Sequence, residues 1–202
     1  MREIVIATGN HHKFRELRAL LTVRGIRWRA LTDYPGVSAV RETGKNFETN
    51  AAKKARAVAK ATGQLALADD SGLEVAALHW GPGVRSARFA GAHGDDAANN
   101  RKLLRVLHGL PRRRRGARYR CILALASPTK LLAVTSGTWS GQIAEAPKGR
   151  NGFGYDPLFL VPGTGKTVAQ LPVRLKHQHS HRAAAARRMK AVLKKLTAGT
   201  RG

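Results

Sequence analysis

Leu65-Ala66-Leu67-Ala68 runs straight into Asp69-Asp70-Ser71-Gly72, and this stretch constrains the fold more than any other. A short apolar run bounded by turn residues is the pattern of a buried strand. The chain must therefore wrap a core around it and deliver two carboxylates at its end. Neighbouring residues of an extended chain point to opposite faces, so Asp69 and Asp70 have different surroundings. One is placed to brace the loop, the other to face a cleft. A solvated turn is the plainer reading of two adjacent acids, and the rest of the chain has to decide.

The first strand, Ile4-Val5-Ile6-Ala7, leads through Thr8-Gly9-Asn10 into a helix over His11 to Leu21 with Phe14, Leu17 and Leu21 on one face. A strand, a glycine turn and a helix N-terminus make an anion site by geometry. Lys13 in the first helical turn opposes the helix dipole and calls for an anionic ligand or solvent. A second strand is expected over Ile26–Leu31, then a loop from Thr32 to Gly44 carrying Glu42. An Ala-rich helix follows from Asn46 to Thr62, closed by Gly63. Asn50 and Lys54, four apart, share its face.

Leu73-Glu74-Val75 reads as a further short strand, and Trp80 to Gly91 as a Gly-rich loop. The spacing predicts a helix over Asp95–Leu107 with Leu103, Leu104 and Leu107 inward, and Arg112–Arg115 is a polar connection. Ala117–Ala126 and Leu131–Trp139 flank Ser127-Pro128-Thr129-Lys130 as a hairpin. The loop Gly152-Phe153-Gly154-Tyr155-Asp156-Pro157 surrounds one aromatic with glycines, which suits a flat ligand close to backbone or a Phe153 tucked into the core. A strand over Leu158–Val161 comes next. Pro162-Gly163-Thr164-Gly165-Lys166-Thr167 is a plain turn, because a P-loop would need glycine where Leu160 stands. The last helix runs from an N-cap at Ser180 to about Leu196, with Met189, Val192, Leu193 and Leu196 as its buried stripe. His181 and Arg182 occupy its first turn. His177, His179 and His181 do not share a face and are not read as a metal cluster.

A chain of 202 residues can bury one good core or two lobes sharing a sheet. No apolar stretch approaches a membrane span. Met1-Arg2-Glu3-Ile4 enters a strand directly, so no signal peptide is expected, and a lone Cys121 fits a reducing cytoplasm. Lys and Arg number 37 against 12 acids, a net +25. Such a field attracts polyanions, so non-specific nucleic-acid binding stays open beside a solvated basic surface.

Seven motifs in one order carry a resemblance. They are Thr8-Gly9-Asn10-x-x-Lys13, Glu42-Thr43-Gly44, Asn50-Ala51-x-x-Lys54-Ala55, Ala68-Asp69-Asp70-Ser71-Gly72-Leu73, Pro82-Gly83-x-x-Ser86-Ala87-Arg88, Gly152-Phe153-Gly154-Tyr155-Asp156-Pro157 and Ser180-His181-Arg182. Together, over roughly residues 2 to 196, the chain resembles the Ham1/inosine triphosphate pyrophosphatase family. The resemblance implies hydrolysis of ITP, dITP and XTP to monophosphate and pyrophosphate. It implies that Thr8, Gly9, Asn10 and Lys13 cradle the triphosphate while Lys54 adds charge. Asp70 would hold Mg²⁺ with Glu42 and act as the base, and Ser71 would touch the substrate. Phe153 and Gly154 would take the purine, with Tyr155 and Asp156 completing the wall, and Lys176, His181 and Arg182 would read the base edge. Where the family commonly has acids, this chain has Arg41, Thr49 and Arg174-Leu175.

The fold implied is α/β, a long twisted mixed sheet flanked by helices, with two lobes and a cleft between them. Residues 1–196 would form that single domain, 197–202 a tail, and the working form a cytoplasmic homodimer with no membrane attachment. The rival readings are a basic nucleic-acid binder without turnover and a pyrophosphatase preferring modified pyrimidine nucleotides.

Overall fold

A computed structural model describes residues 1–38 and 40–198. The expected tail therefore lies mostly outside the described residues, as does Ala39 within the expected 32–44 loop; Thr197 and Ala198 are helical. Strands β1 (Arg2–Ile6), β2 (Ile26–Ala30), β3 (Leu65–Val75), β4 (Gly81–Pro82), β5 (Gly116–Ala126), β6 (Leu131–Ile143) and β7 (Phe159–Leu160) form one mixed sheet. Its order is β2-β1-β3-β5-β6-β7, with β4 on β3. The helices are α1 (His11–Leu20), α2 (Phe47–Thr62), α3 (Asp96–Val106), α4 (Val173–His179) and α5 (His181–Ala198). Pairing is parallel for β1 with β2 and with β3, and antiparallel for β3 with β4 and β6 with β7. The mixed α/β architecture expected from the sequence is the one observed, and no described helix is long and apolar enough to cross a membrane.

The chain divides into two compact units. Unit 1 comprises Met1–Asp70, Cys121–Gly137 and Arg182–Gly202. Its core gathers Ile4 and Ile6 of β1, Leu17 and Leu21 on or beside α1, Leu67, Leu123, Leu125, and Met189 and Leu193 of α5, all without solvent exposure. Each such side chain contributes about 1.5–3 kcal/mol on burial. Helix α2 starts on Asn46, whose side chain accepts the Thr49 N–H, and stops at Gly63, which is left-handed at φ 68°. Unit 2 comprises Ser71–Arg120 and Thr138–His181. Its core joins Leu73, Val75, Leu103, Leu107, Ile143, Leu158 and Phe159.

Four expectations need correction. The Asp pair is not at a strand end: β3 continues unbroken to Val75, because Leu73 and Val75 are buried and Glu74–Val75 pair with β4. The strand expected over Leu158–Val161 is only Phe159–Leu160. A separate helix, α4, precedes the last one; its Arg-Leu-Lys-His-Gln-His run has no apolar period to betray it, and Ser180, extended at ψ 158°, breaks it from α5. The Arg112–Arg115 run is not all solvated. Arg115 is buried and donates to the carbonyls of Leu107, Ile143 and Ala144 at 2.8–2.9 Å.

Candidate active site

In unit 1 the strand register builds the site. Ile6 pairs with Leu67, so the turn leaving β1 stands level with Asp69. Asn10 caps α1, its Oδ1 accepting from the N–H groups of His12 (2.9 Å) and Lys13 (3.1 Å), while Thr8 Oγ1 accepts the Asn10 N–H. Two helix N–H groups expected to face an anion are thus occupied by the cap. Lys13 also has a protein partner: its Nζ lies 2.6 Å from Asp69 Oδ1. Asp69 Oδ2 accepts from Arg182 Nε at 3.1 Å and from the Cys121 thiol at 3.2 Å. Arg182 donates its Nη1 to Glu16. Burial alone would raise the Asp69 pKa, but the charges of Lys13 and Arg182 outweigh it and hold the carboxyl well below its ordinary value. The Cys121 thiol, buried beside that carboxylate, is pushed well up and stays protonated.

Asp70 points the other way and is treated differently. Its Oδ1 lies 3.3 Å from Lys54 Nζ, which also donates to Glu42 Oε1 at 2.6 Å and to the Asp69 carbonyl at 2.7 Å. All three ammonium protons of Lys54 are thereby engaged, so Lys54 brings charge rather than a spare donor. The Glu42 turn is pinned by Asn50, whose Oδ1 accepts the Gly44 N–H at 2.7 Å. A Cβ at Gly44 would collide with Thr49 Oγ1 and Asn50 Oδ1. Asp70 Oδ2 is buried with no hydrogen-bond partner. Burial raises the Asp70 pKa; Lys54 pulls it down and Glu42 pushes it back, with a net rise. Burial would lower Lys54, but Asp70 and Glu42 reverse that and raise it.

In unit 2 the Phe153 loop is held by Asp156, which is buried and accepts from Tyr119 Oη (3.1 Å), the Phe153 N–H (3.0 Å) and Lys176 Nζ (2.7 Å). A Cβ at Gly152, φ +81°, would sit on that carboxylate. Phe153 is half-buried, with the Lys176 ammonium 4.5 Å from its ring centroid. His181 stacks on Tyr119 at 4.7 Å, which in turn stacks on Phe159. Tyr155 is in the core, its hydroxyl donating to the Ser86 carbonyl at 2.8 Å. Tyr155 and Asp156 therefore brace the loop from within.

Residues 4–192 match the model of the Ham1 family. The chain belongs to that family. It is 50% identical over 185 residues to a dITP/XTP pyrophosphatase of Geobacillus kaustophilus, covering 92% of this chain and 91% of that protein. A dITP/XTP pyrophosphatase of Desulforamulus reducens is 47% identical, with 96% of each chain covered. Among solved structures, a HAM1 protein from Coxiella burnetii superposes with a TM-score of 0.88 at 41% identity, covering 96% of this chain and 100% of that one.

Within this Ham1 chain the structure groups the expected residues in two sets. Thr8, Asn10, Lys13, Glu42, Lys54, Asp70 and Arg182 belong to unit 1, together with Gly9, at which a Cβ would meet nothing within 4 Å. Ser71, Phe153, Gly154, Tyr155, Asp156, Lys176 and His181 belong to unit 2. The Arg182 guanidinium pairs with Asp69 and Glu16, both of unit 1. The sequence reading missed Glu16, Cys121 and Tyr119 as partners. Glu16 carried a signal, since it lies three residues after Lys13 on α1 and so on the same face. Cys121 and Tyr119 gave none beyond strand alternation.

The carboxylates of Asp70 and Glu42 are hard oxygen donors around one ammonium, and Asp70 Oδ2 is an orphaned buried acceptor. Among the described residues no third acidic, histidine or cysteine side chain completes a cluster. A two-carboxylate donor set fits magnesium, which keeps waters and substrate phosphate oxygens in its remaining positions.

Proposed function

We propose that the protein hydrolyses non-standard purine nucleoside triphosphates (ITP, dITP and XTP) to the monophosphate and pyrophosphate. The observation that carries this reading is Asp70 Oδ2, a buried oxygen without a hydrogen-bond partner on a carboxylate whose other oxygen meets the Lys54 ammonium. The names of the relatives, each a dITP/XTP pyrophosphatase, support the substrate class.

In this reading the expected residues divide between the phosphates and the base. Thr8, Gly9, Asn10 and Lys13 approach the triphosphate; Lys13 can turn a second proton to a phosphate oxygen while Asp69 keeps it in place. Asp70 removes a proton from the water that attacks the α-phosphorus, and pyrophosphate leaves as that P–O bond breaks. A raised pKa makes the carboxylate a stronger base toward that water. Asp70 and Glu42 would hold Mg²⁺, which when bound draws charge from the phosphate oxygens. Ser71 touches the substrate. Phe153 and Gly154 receive the purine, Tyr155 and Asp156 shape their loop, and Lys176 and His181 meet the 6-oxo edge. An adenine amino group would leave those donors unpaired, a heavy loss in a closed site. Arg182 acts through Asp69. The same reading takes the working form as a cytoplasmic homodimer, on the family resemblance.

The deciding experiment measures pyrophosphate release from ITP, dITP, XTP, ATP, GTP and modified pyrimidine triphosphates with Mg²⁺ or Mn²⁺. Turnover of the 6-oxo purine set at least about 100-fold above ATP is expected. No turnover of any nucleotide, with tight salt-sensitive binding to DNA or RNA, would overturn the reading in favour of a nucleic-acid binder.

A further inference from the structure

We infer that Asp96 and Asn100 of α3 are positioning residues that hold the Phe153–Gly154 segment in the shape that receives the base. This rests on the reading that the Phe153 loop is the base site. The two residues are four apart and share one face of α3. Asp96 Oδ2 accepts the Gly154 N–H at 2.6 Å. Asn100 Nδ2 donates to the Gly154 carbonyl at 2.9 Å. One helix face therefore grips both ends of a single residue. From the C-terminal side, Asp156 Oδ2 accepts the Phe153 N–H, and the Asp156 N–H donates to the Phe153 carbonyl at 3.3 Å. All four backbone polar groups of Phe153 and Gly154 are paired, three of them with side chains, in a stretch that is neither helix nor strand. In such a stretch these four bonds take the place of the ladder bonds that would otherwise fix the backbone.

The grip has a cost that points to its purpose. The Gly154 carbonyl can only accept, so Asn100 must present its amide nitrogen. That leaves Asn100 Oδ1 buried with no hydrogen-bond partner, an arrangement that stability alone does not favour. The helix behind it is packed into the core: Leu103 is fully buried, and Asn99 Oδ1 accepts the Ala90 N–H at 2.7 Å. A loop held from a packed helix presents its aromatic ring in one orientation, and such pre-organisation raises affinity for a flat base.

The test compares Asn100→Ala, Asn100→Asp, Asp96→Ala and Asp96→Asn with the unaltered protein. Steady-state kinetics are run on ITP, and inorganic tripolyphosphate, which has phosphates but no base, serves as a competitive inhibitor. Amide hydrogen exchange of Phe153 and Gly154 is followed without ligand. Asn100→Ala and Asn100→Asp are expected to raise KM for ITP by about 10-fold, with kcat within about two-fold and the tripolyphosphate Ki unchanged. Asp96→Ala, at an exposed position, should raise KM by about three-fold, and Asp96→Asn, which keeps an acceptor oxygen, should restore it. Exchange at Gly154 should quicken by about 10-fold in the Asn100 variants. Unchanged KM and unchanged exchange would overturn the inference, as would KM and the tripolyphosphate Ki rising together. If the unaltered protein turns over no purine triphosphate, the proposed function fails, while hydrogen exchange still decides whether α3 holds the loop.

Discussion

The two faces of β3 at Asp69 and Asp70 use the same side chain for opposite ends. On the Asp69 face both carboxylate oxygens are filled by Lys13, Arg182 and Cys121, and the group is locked in its charged form. On the Asp70 face one oxygen meets Lys54 at a longer distance, the other meets nothing, and the charged form is disfavoured. A saturated carboxylate stabilises a fold. An unsaturated one weakens it and is available to a ligand or a proton. Adjacent residues can divide these tasks because a strand sends them to opposite sides.

The comparison breaks most directly at Asp70. Asp70→Asn should lower kcat for ITP by about 10²–10⁴-fold while nucleotide still binds. It should also raise the thermal midpoint at neutral pH, since it removes a charge that the folded state disfavours. A variant with near-normal kcat, or one that melts lower, would erase the distinction between the faces.

Asp69→Asn is the mirror experiment. It strands the charges of Lys13 and Arg182, and a loss of about 3–5 kcal/mol in urea unfolding is expected. A loss below about 1 kcal/mol would mean that Asp69 is not the hub of the cluster.

The pH dependence separates the same two groups. The Asp69 pKa is depressed on folding, so its contribution is present above the unfolded value of about 3.9 and is lost as pH falls through the lower folded value. Acid unfolding of the natural chain should therefore steepen below about pH 4, and Asp69→Asn should lack that component. The Asp70 pKa is raised, so in protein free of Mg²⁺ its carboxyl should titrate above the ordinary carboxylate range. The Lys54 pKa is raised as well; its stabilisation is complete below about 10.4 and is lost as pH rises through the higher folded value. An Asp70 carboxyl that titrates at or below the ordinary range in Mg²⁺-free protein, followed by NMR, would contradict the Asp70 environment.

The smallest effect is reserved for Cys121→Ala. It removes one of the donors to Asp69 and should cost about 1 kcal/mol, with kcat on ITP unchanged. A large loss of activity would show that the Asp69 face takes part in chemistry after all.

Much of this was legible in the chain. The run Leu65–Ala68 marked β3 because apolar residues next to turn formers have few places to go but a core strand. Asn46 and Gly63 marked the ends of α2 because capping chemistry is local. The opposition of Asp69 and Asp70 followed from strand geometry alone. What stayed hidden was pairing across long sequence separation. Lys13 looked like a cation waiting for an anion until the β1–β3 register set Asp69 beside it. Arg182 likewise showed no sign in the sequence of its pairing with Asp69 and Glu16, which lie 113 and 166 residues away along the chain. The bond from the Tyr155 hydroxyl to the Ser86 carbonyl, 69 residues away along the chain, was equally hidden.

By itself, then, the sequence determined which residue types are available, where the long strands and helices lie, and that two neighbouring carboxylates face apart; these are properties of the local backbone and its side-chain period. Only the tertiary structure decided which of the two is saturated and which is left open. That choice depends on the partners brought in from α1, α2 and α5, and nothing in the run Ala68-Asp69-Asp70-Ser71 encodes them.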